Sequence, residues 1–382
     1  MEITSVETFV LSNRQALCKI TTSDGYSGWG EAVAENAARP VAAMVERLAE
    51  YLVGEDPLPI TRLWQILVRG GFYRGGPIMG SAVAGLDQAL WDIKGRVLGA
   101  PVHELLGGPT RDSARVYAHT GRSGDAGDPV LARQRVAEGY TLLKFAPDLG
   151  PVKFLDTPAW TARFVDAVAT MRDAVGDEID LAIDFHGRLG IAQSRRVLPL
   201  LEPFHLAFVE EPLRPEHQGM IGELVHASSI PIACGERLYH RTEFRTVLEA
   251  GVAIVQPDVS HANGITESFR IAAQAETYDA QLAPHCPLGP VTLAASLQLA
   301  FAVPNFHSQE QVIDIHDPSA PALGIIGNPE VLRPVGGYVA RLTGPGLGVE
   351  VDEDEVRSRV DDGALAPGSP VWAHQDGSYA EW

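Results

Sequence analysis

The sequence predicts an α/β protein, a barrel of parallel strands preceded by an α+β module and followed by a Gly/Pro-rich closing segment. Three observations predict it. Apolar or β-branched runs alternate with helical stretches from about residue 115 onward, eight such runs are present, and carboxylates or histidines stand at the ends of several. The length of 382 residues fits two domains or one large barrel with additions and excludes a single small module.

The first module covers residues 1–113. Its opening MEITSVETFVL alternates like a strand, and in ALCKITTSDGYSGWGEA the pair Asp24-Gly25 is a hairpin signal. A helical period follows at Val41, Met44, Val45, Leu48, Tyr51 and Leu52, closed by Gly54. A second helix has apolar positions Val83, Leu86, Leu90, Ile93 and Val97 and stops at Gly99, with Pro101 just beyond. The pairs Gly75-Gly76 and Gly107-Gly108 read as turns, because neither matches a phosphate-binding pattern.

Residues 114–323 form the predicted barrel, with strand candidates RVYAH, TLLKF, LAIDFH, AFVEEP, PIACGE, AIVQPDV, QLAPHC and the segment around FHSQEQ. Residues 324–382 return to hairpin-like sequence (PVGGYVARL, PGLGVEV) and are expected to pack back on the first module. The acidic run Asp352–Glu355 reads as a solvated face.

Thirty basic against 49 acidic residues leave a formal charge of −19, which repels nucleic acid and anionic lipid. The most apolar stretch, Val291–Val303, is interrupted by Thr292, Ser296 and Gln298, so no membrane span is expected. The N-terminus lacks the layout of a signal peptide, and a cytoplasmic location is expected. Cys18, Cys234 and Cys286 show no CxxC spacing, so any metal should be held by oxygen.

Asp184, Glu210 and Glu236 end the third, fourth and fifth runs at even spacing. Carboxylates at single strand ends are often only solvated. Three that converge repel one another unless a cation neutralises them, and all-oxygen ligation suits Mg²⁺. Of Glu210 and its neighbour Glu211, only one can face the barrel axis; Glu210 is taken as the ligand and Glu211 as a salt-bridged support. The period-2 rule places His186 on the same face as Asp184. His285 ends the seventh run and Asp258 the sixth, so that carboxylate is placed to fix the tautomer of a proton-abstracting imidazole.

The stretches GFYRGGPIMGSAVAGLDQALWDIKG (71–95), IDFHGR (183–188), FVEEP (208–212), GERLYHR (235–241), VQPDVSHANGITE (255–267) and LAPHCPLGP (282–290) resemble the enolase superfamily, mandelate racemase subgroup, and are most similar to its D-galactonate dehydratases. The resemblance extends end to end. It implies a modified TIM barrel of (β/α)7β type, with residues 1–113 as an N-terminal α+β capping domain. It implies Mg²⁺ held by Asp184, Glu210 and Glu236, His285 paired with Asp258 as general base, His186 as general acid, and Glu310 hydrogen-bonded to the substrate carboxylate.

The implied reaction removes the α-proton of an acid sugar and eliminates its 3-hydroxyl as water. An α-proton beside a carboxylate is too weakly acidic for an unaided histidine, so metal and preorganised donors must stabilise the developing enediolate. Racemases of the subgroup carry a KxK motif, and here Lys144-Phe145-Ala146 keeps only the first lysine. Ser260–Gly264 lacks the lysine of cycloisomerases. D-galactonate is the leading substrate. Alternatives are another acid sugar such as D-gluconate, an epimerase or racemase, and a non-catalytic binding protein.

Ala146 stands where the galactonate pattern has a polar, asparagine-like residue, and Asp148, two positions on, either compensates or selects a differently configured acid. Lys144 and Arg14 join Glu310 as candidate substrate-binding residues. The segments Ser12–Gln15, with Asn13 and Arg14 as hydroxyl readers, and Tyr73-Arg74 are expected to form loops over the site. The resemblance also implies a homo-oligomer, often an octamer.

Overall fold

The computed structural model describes the chain except residues 13, 122–126, 147–156, 288, 312–314, 317–320, 362–370, 374–375 and 381–382. The first strands, β1 (Ile3–Ser12), β2 (Gln15–Thr22) and β3 (Ser27–Glu31), form an antiparallel sheet in that order. Asp24-Gly25 makes the turn between β2 and β3, with Gly25 at φ 84°, a conformation that favours glycine. Helices α1 (Ala38–Ala49), α2 (Ile60–Arg69) and α3 (Pro77–Leu98) cover this sheet. Ile20, Val41, Val45, Leu63, Leu86 and Leu90 lie in their shared core.

α3 is buried on more than its apolar stripe. Ser81, Asp87, Gln88 and Asp92 are also buried, because the helix lies between the first sheet and the barrel. Its approach to the sheet is close enough that a Cβ on Gly30 would meet the Gly85 carbonyl. These buried carboxylates are paired with the barrel, with the first sheet and with the closing segment. Asp87 accepts from the Thr266 backbone N (2.9 Å) and Oγ1 (2.6 Å), and Asp92 accepts from the backbone N of Trp29 (3.1 Å) and Leu347 (3.0 Å).

β4 (Ser113–Arg115) precedes the barrel strands β5 (Ala118–His119), β6 (Leu142–Phe145), β7 (Asp180–Asp184), β8 (Phe208–Glu210), β9 (Ile232–Cys234), β10 (Ile254–Val255) and β11 (Gln281–Leu282). These seven, β5 to β11, pair in chain order in one parallel sheet. Two of the eight predicted runs differ from expectation. RVYAH is divided, since β4 pairs antiparallel with β12 (Tyr338–Ala340) and only β5 enters the barrel sheet. The eighth run forms single parallel bridges, Phe306 to Leu282 and Gln309 to Val116. Those bridges join the two edges of the sheet. The Gln309 side chain is drawn aside to Ser296 Oγ (2.8 Å) and the Glu310 carbonyl (2.9 Å).

The closing segment touches both bodies. β12 lies against β4, while Lys19 pairs with Glu353 (2.6 Å), Arg357 pairs with Glu7 (3.0 Å) and the Asp361 amide donates to Val10 O (2.8 Å). The acidic run starts the short helix Glu353–Ser358, with Asp352 accepting from the Glu355 amide as its N-cap. No helix among the described residues is long and apolar enough to cross a membrane.

His307, in the bridging segment, carries a stability prediction. Burial, then Arg115, push its imidazole down from 6.5 to about 4. Between those values the unfolded chain takes up a proton that the folded chain refuses, so stability is fully present above pH 6.5 and declines as pH falls towards 4. The maximal contribution is about 3 kcal/mol. Unfolding midpoints measured across this window should fall less steeply for His307→Asn; an identical pH slope would remove His307 from the account.

Candidate active site

The barrel interior explains which side chains meet. Its floor is a cluster of Tyr117, Leu142, Ala182, Phe208, Ala233, Ile254 and Ala283, contributed strand by strand. Side chains two positions apart on a strand share a face. The next layer up is therefore His119, Lys144, Asp184, Glu210, Gln256 and His285, and its only apolar counterpart, above Ala233, is Gly235. Parallel strands all present their C-terminal ends at one mouth, which is where this layer lies.

Asp184 and Glu210 are direct partners in the β7–β8 register. With Glu236 they bring one oxygen each to within 4.8 Å of one another. Lys144 Nζ is buried among them, donating to both oxygens of Glu210 (2.9 Å each), with Glu310 Oε1 at 3.0 Å and Asp184 Oδ2 at 3.5 Å. Gln256 Nε2 donates to Glu210 Oε2 (2.8 Å). The three converging carboxylates form an all-oxygen donor set, which fits a hard divalent cation such as Mg²⁺.

His186 stands beside Asp184, its Nε2 2.9 Å from Oδ2. The cause differs from the pleat invoked from sequence. His186 has φ 51°, and its amide donates to Asp184 Oδ1 (2.7 Å), so a left-handed turn held by the aspartate places the ring. Glu211 also has a positive φ, 42°, and turns away from the axis to Arg237 Nη2 (2.8 Å) and the Gly235 amide (3.0 Å).

On the other flank, His285 Nδ1 donates to Asp258 Oδ2 (2.7 Å), and its Nε2 lies 3.5 Å from Glu236 and 3.8 Å from Glu310. Glu310 accepts from the Cys286 amide (2.8 Å) and lies 3.1 Å from His119 Nε2.

The charges are mutually dependent. Burial disfavours imidazolium at His186, but Asp184 outweighs it and pushes the group up to about 9. Burial likewise works against ionised Asp184, yet His186 and Lys144 hold it below the carboxylate range. At His285 the pull of burial is overcome by Glu310, Glu236 and Asp258, which hold it well above its ordinary value. Burial, then Asp184, push Glu210 upward, while Lys144, His285 and His119 keep Glu310 well below the usual range.

These groups open into a cavity of about 390 Å³, suited to a small acid. The first module roofs it with Arg14, Ala34, Glu35 and Pro77. Arg14 pairs there with Glu35 (2.8 Å). Ala146 lines the wall. Tyr73 and Arg74, expected over the site, do not line the cavity; Tyr73 is 89% exposed, edge-on to Phe72. The tract reaches the cavity only through Pro77. Asn13 and Asp148 lie outside the described residues.

Sequence reasoning missed His119, Gln256, Arg237 and His261. The first two are legible by the same period of two that places Asp184 above Ala182. His261 and Arg237 lie beyond the strands, where no period applies.

Residues 129–355 match the enolase C-terminal domain-like family, and residues 3–107 match the N-terminal domain of the mandelate racemase/muconate lactonizing enzyme family. The chain belongs to the enolase superfamily. A D-galactonate dehydratase of Cronobacter sakazakii is 46% identical over 388 residues, with 100% of both chains covered. Among solved superfamily structures, an enolase from Agrobacterium radiobacter with sodium and L-malate bound is 29% identical, with TM-score 0.89 and 100% of each chain covered. A mandelate racemase/muconate lactonizing enzyme from Jannaschia sp. CCS1 is 30% identical, with TM-score 0.86, covering 95% of this chain and 98% of its own.

Proposed function

We propose that this enolase-superfamily protein is a Mg²⁺-dependent dehydratase that converts D-galactonate to its 2-keto-3-deoxy acid. It is a hydro-lyase of the acid-sugar dehydratase kind, as the full-length identity of 46% to a D-galactonate dehydratase supports. The observation that carries the mechanism is the convergence of Asp184, Glu210 and Glu236 between His186 on one flank and the His285–Asp258 pair on the other. On this reading residues 1–113 are a cap, 114–323 the barrel and 324–382 the segment that completes the cap.

Asp184, Glu210 and Glu236 would hold the cation, which supplies Lewis-acid stabilisation of the charge that develops on the substrate carboxylate. Lys144 meets the same carboxylate as a buried cation. Glu310, ionised in the free site under Lys144, His285 and His119, hydrogen-bonds that carboxylate by taking up a proton as the substrate anion arrives and raises its pKa. Asp258 holds the His285 Nδ1–H, leaving Nε2 to take the α-proton in the neutral form of the ring. Glu236 is one of the carboxylates that favour imidazolium there, and it also belongs to the cation set, so neutralising it lessens that pull. His186, protonated at neutral pH, gives its proton to the 3-hydroxyl as the C3–O bond breaks. Water leaves, and the enol tautomerises to the keto acid.

The apolar Ala146 in the cavity wall favours a second reading on substrate alone, an acid sugar other than D-galactonate such as D-gluconate. A semicarbazide assay of keto-acid formation over a stereochemically complete acid-sugar library with Mg²⁺ tests both. Turnover of D-galactonate above the other acids is expected. Preference for another acid replaces the substrate and keeps the chemistry, and formation of no keto acid from any of them overturns the dehydratase.

A further inference from the structure

We propose that Ser81 and His261 are positioning residues, a chain through which the first module sets the His285–Asp258 pair. The proposal rests on the reading of His285 as the base. After β10 the chain turns sharply at Asp258, whose carbonyl accepts from the amides of His261 (3.0 Å) and Ala262 (2.7 Å). Asp258 Oδ1 is taken by Ser260, from both the amide and Oγ (2.6 Å each). Oδ2 is left for His285 Nδ1 at 2.7 Å. His261 Nε2 faces that same Oδ2 at 3.6 Å, too long for a hydrogen bond and close enough for its dipole to bias the carboxylate. The two imidazole rings lie 6.4 Å apart at 30°, with Asp258 shared between them.

The other nitrogen of His261 is anchored outside the barrel. Nδ1 is 3.0 Å from the buried Oγ of Ser81, on α3. The first module grips the same loop at further points, with Gln88 Nε2 donating to Val259 O (3.3 Å) and Trp64 Nε1 to Asn263 O (3.0 Å). At Gly80 there is no room for a side chain, since a Cβ would lie 2.5 Å from His261 O. The loop that carries Asp258 is thus fastened by α2 and α3, whereas His285 comes from the barrel. Correct alignment of the pair requires both bodies to be docked, and His261 is a side chain that meets the first module at one nitrogen and faces Asp258 with the other.

Asparagine reproduces the Nδ1 position of histidine, and glutamine reproduces Nε2. His261→Asn therefore keeps a partner for Ser81 and loses the group facing Asp258. Its kcat for α-proton exchange into deuterium oxide is expected to fall about 10- to 100-fold, the cost of a misplaced base, with KM within about twofold of wild type. His261→Gln keeps the group facing Asp258 and loses the Ser81 anchor, so its kcat is expected to fall about tenfold. Ser81→Ala falls about tenfold, and the double variant Ser81→Ala/His261→Asn is no slower than His261→Asn alone, because the two act as one unit.

An activity-independent readout is the downfield NMR proton of the His285 Nδ1–H···Asp258 bond, assigned by its loss in His285→Asn. It should shift or broaden in Ser81→Ala, His261→Asn and His261→Gln, with thermal unfolding confirming folded protein. An unmoved resonance overturns the positioning chain. So does unchanged kcat, and so does a rise in KM at constant kcat, which makes His261 a reader of substrate instead. A wild-type protein that neither exchanges nor dehydrates any acid sugar removes the base reading, and the resonance then decides the chain by itself.

Discussion

His285→Asn is expected to abolish exchange of the substrate α-proton with solvent deuterium and, with it, dehydration. Loss of a positioned general base costs about 10²- to 10⁴-fold, and the upper end applies where no second base is near. Lys144 does not substitute. Its Nζ is buried against Glu210 and Glu310, which hold it well above its ordinary pKa and keep it an ammonium. His186 is held protonated by Asp184, on the opposite flank of the carboxylates. His186→Asn should therefore lose dehydration and retain exchange, since abstraction precedes departure of the hydroxyl. Proton NMR in deuterium oxide reads exchange, and keto-acid formation reads elimination. Equal loss of both in the two variants would falsify the division of labour.

Chelation is the second large effect. EDTA should remove dehydration, and added Mg²⁺ should restore it, because Asp184, Glu210 and Glu236 each bring an oxygen to one point, the donor set of a hard divalent cation. Asp184→Asn and Glu236→Gln are each expected to lower activity about a thousandfold, near 4 kcal/mol of transition-state stabilisation. Both should weaken Mg²⁺ binding measured by calorimetry. Glu211→Gln serves as the contrast, since that carboxylate is spent on Arg237 and the Gly235 amide and should leave Mg²⁺ binding intact. Activity indifferent to chelation, or Mg²⁺ binding undiminished in Asp184→Asn and Glu236→Gln, sinks the ligand assignment.

Much of the architecture was legible because it follows from short-range rules. Gly25 and Gly99 have positive φ and stand where a hairpin turn and a helix end are read, whereas α1 stops at Ala49, before Gly54, so Tyr51 and Leu52 belong to the following turn and not to the helix. The strand-end carboxylates were legible for a related reason. A parallel barrel turns a repeated sequence position into a shared location, so Asp184 and Glu210, remote along the chain, become direct neighbours.

The period of two was a partial guide. It places Glu210 on the axis and would have found His119 and Gln256 had it been applied to every strand, whereas Glu211, at φ 42°, is turned aside by the end of the strand. It fails at His186, where the chain leaves extended geometry at φ 51° and a hydrogen bond from the His186 amide to Asp184 Oδ1 sets the ring instead.

Sequence by itself determined the class of fold, the order of its parts and the set of carboxylates and imidazoles gathered at one mouth. These depend on hydrophobic period, turn chemistry and chain order, all of which are local. Tertiary structure alone decided the rest: that the eighth run closes the barrel through two bridges, that Tyr73 points to solvent while Pro77 roofs the cavity, and that Lys144 is buried among Asp184, Glu210 and Glu310. It also decided that Ser81 meets His261 across the seam between the two bodies. Each of these depends on how independently formed elements pack, and burial, charge and partner at such positions are properties of the pair, written in neither segment alone.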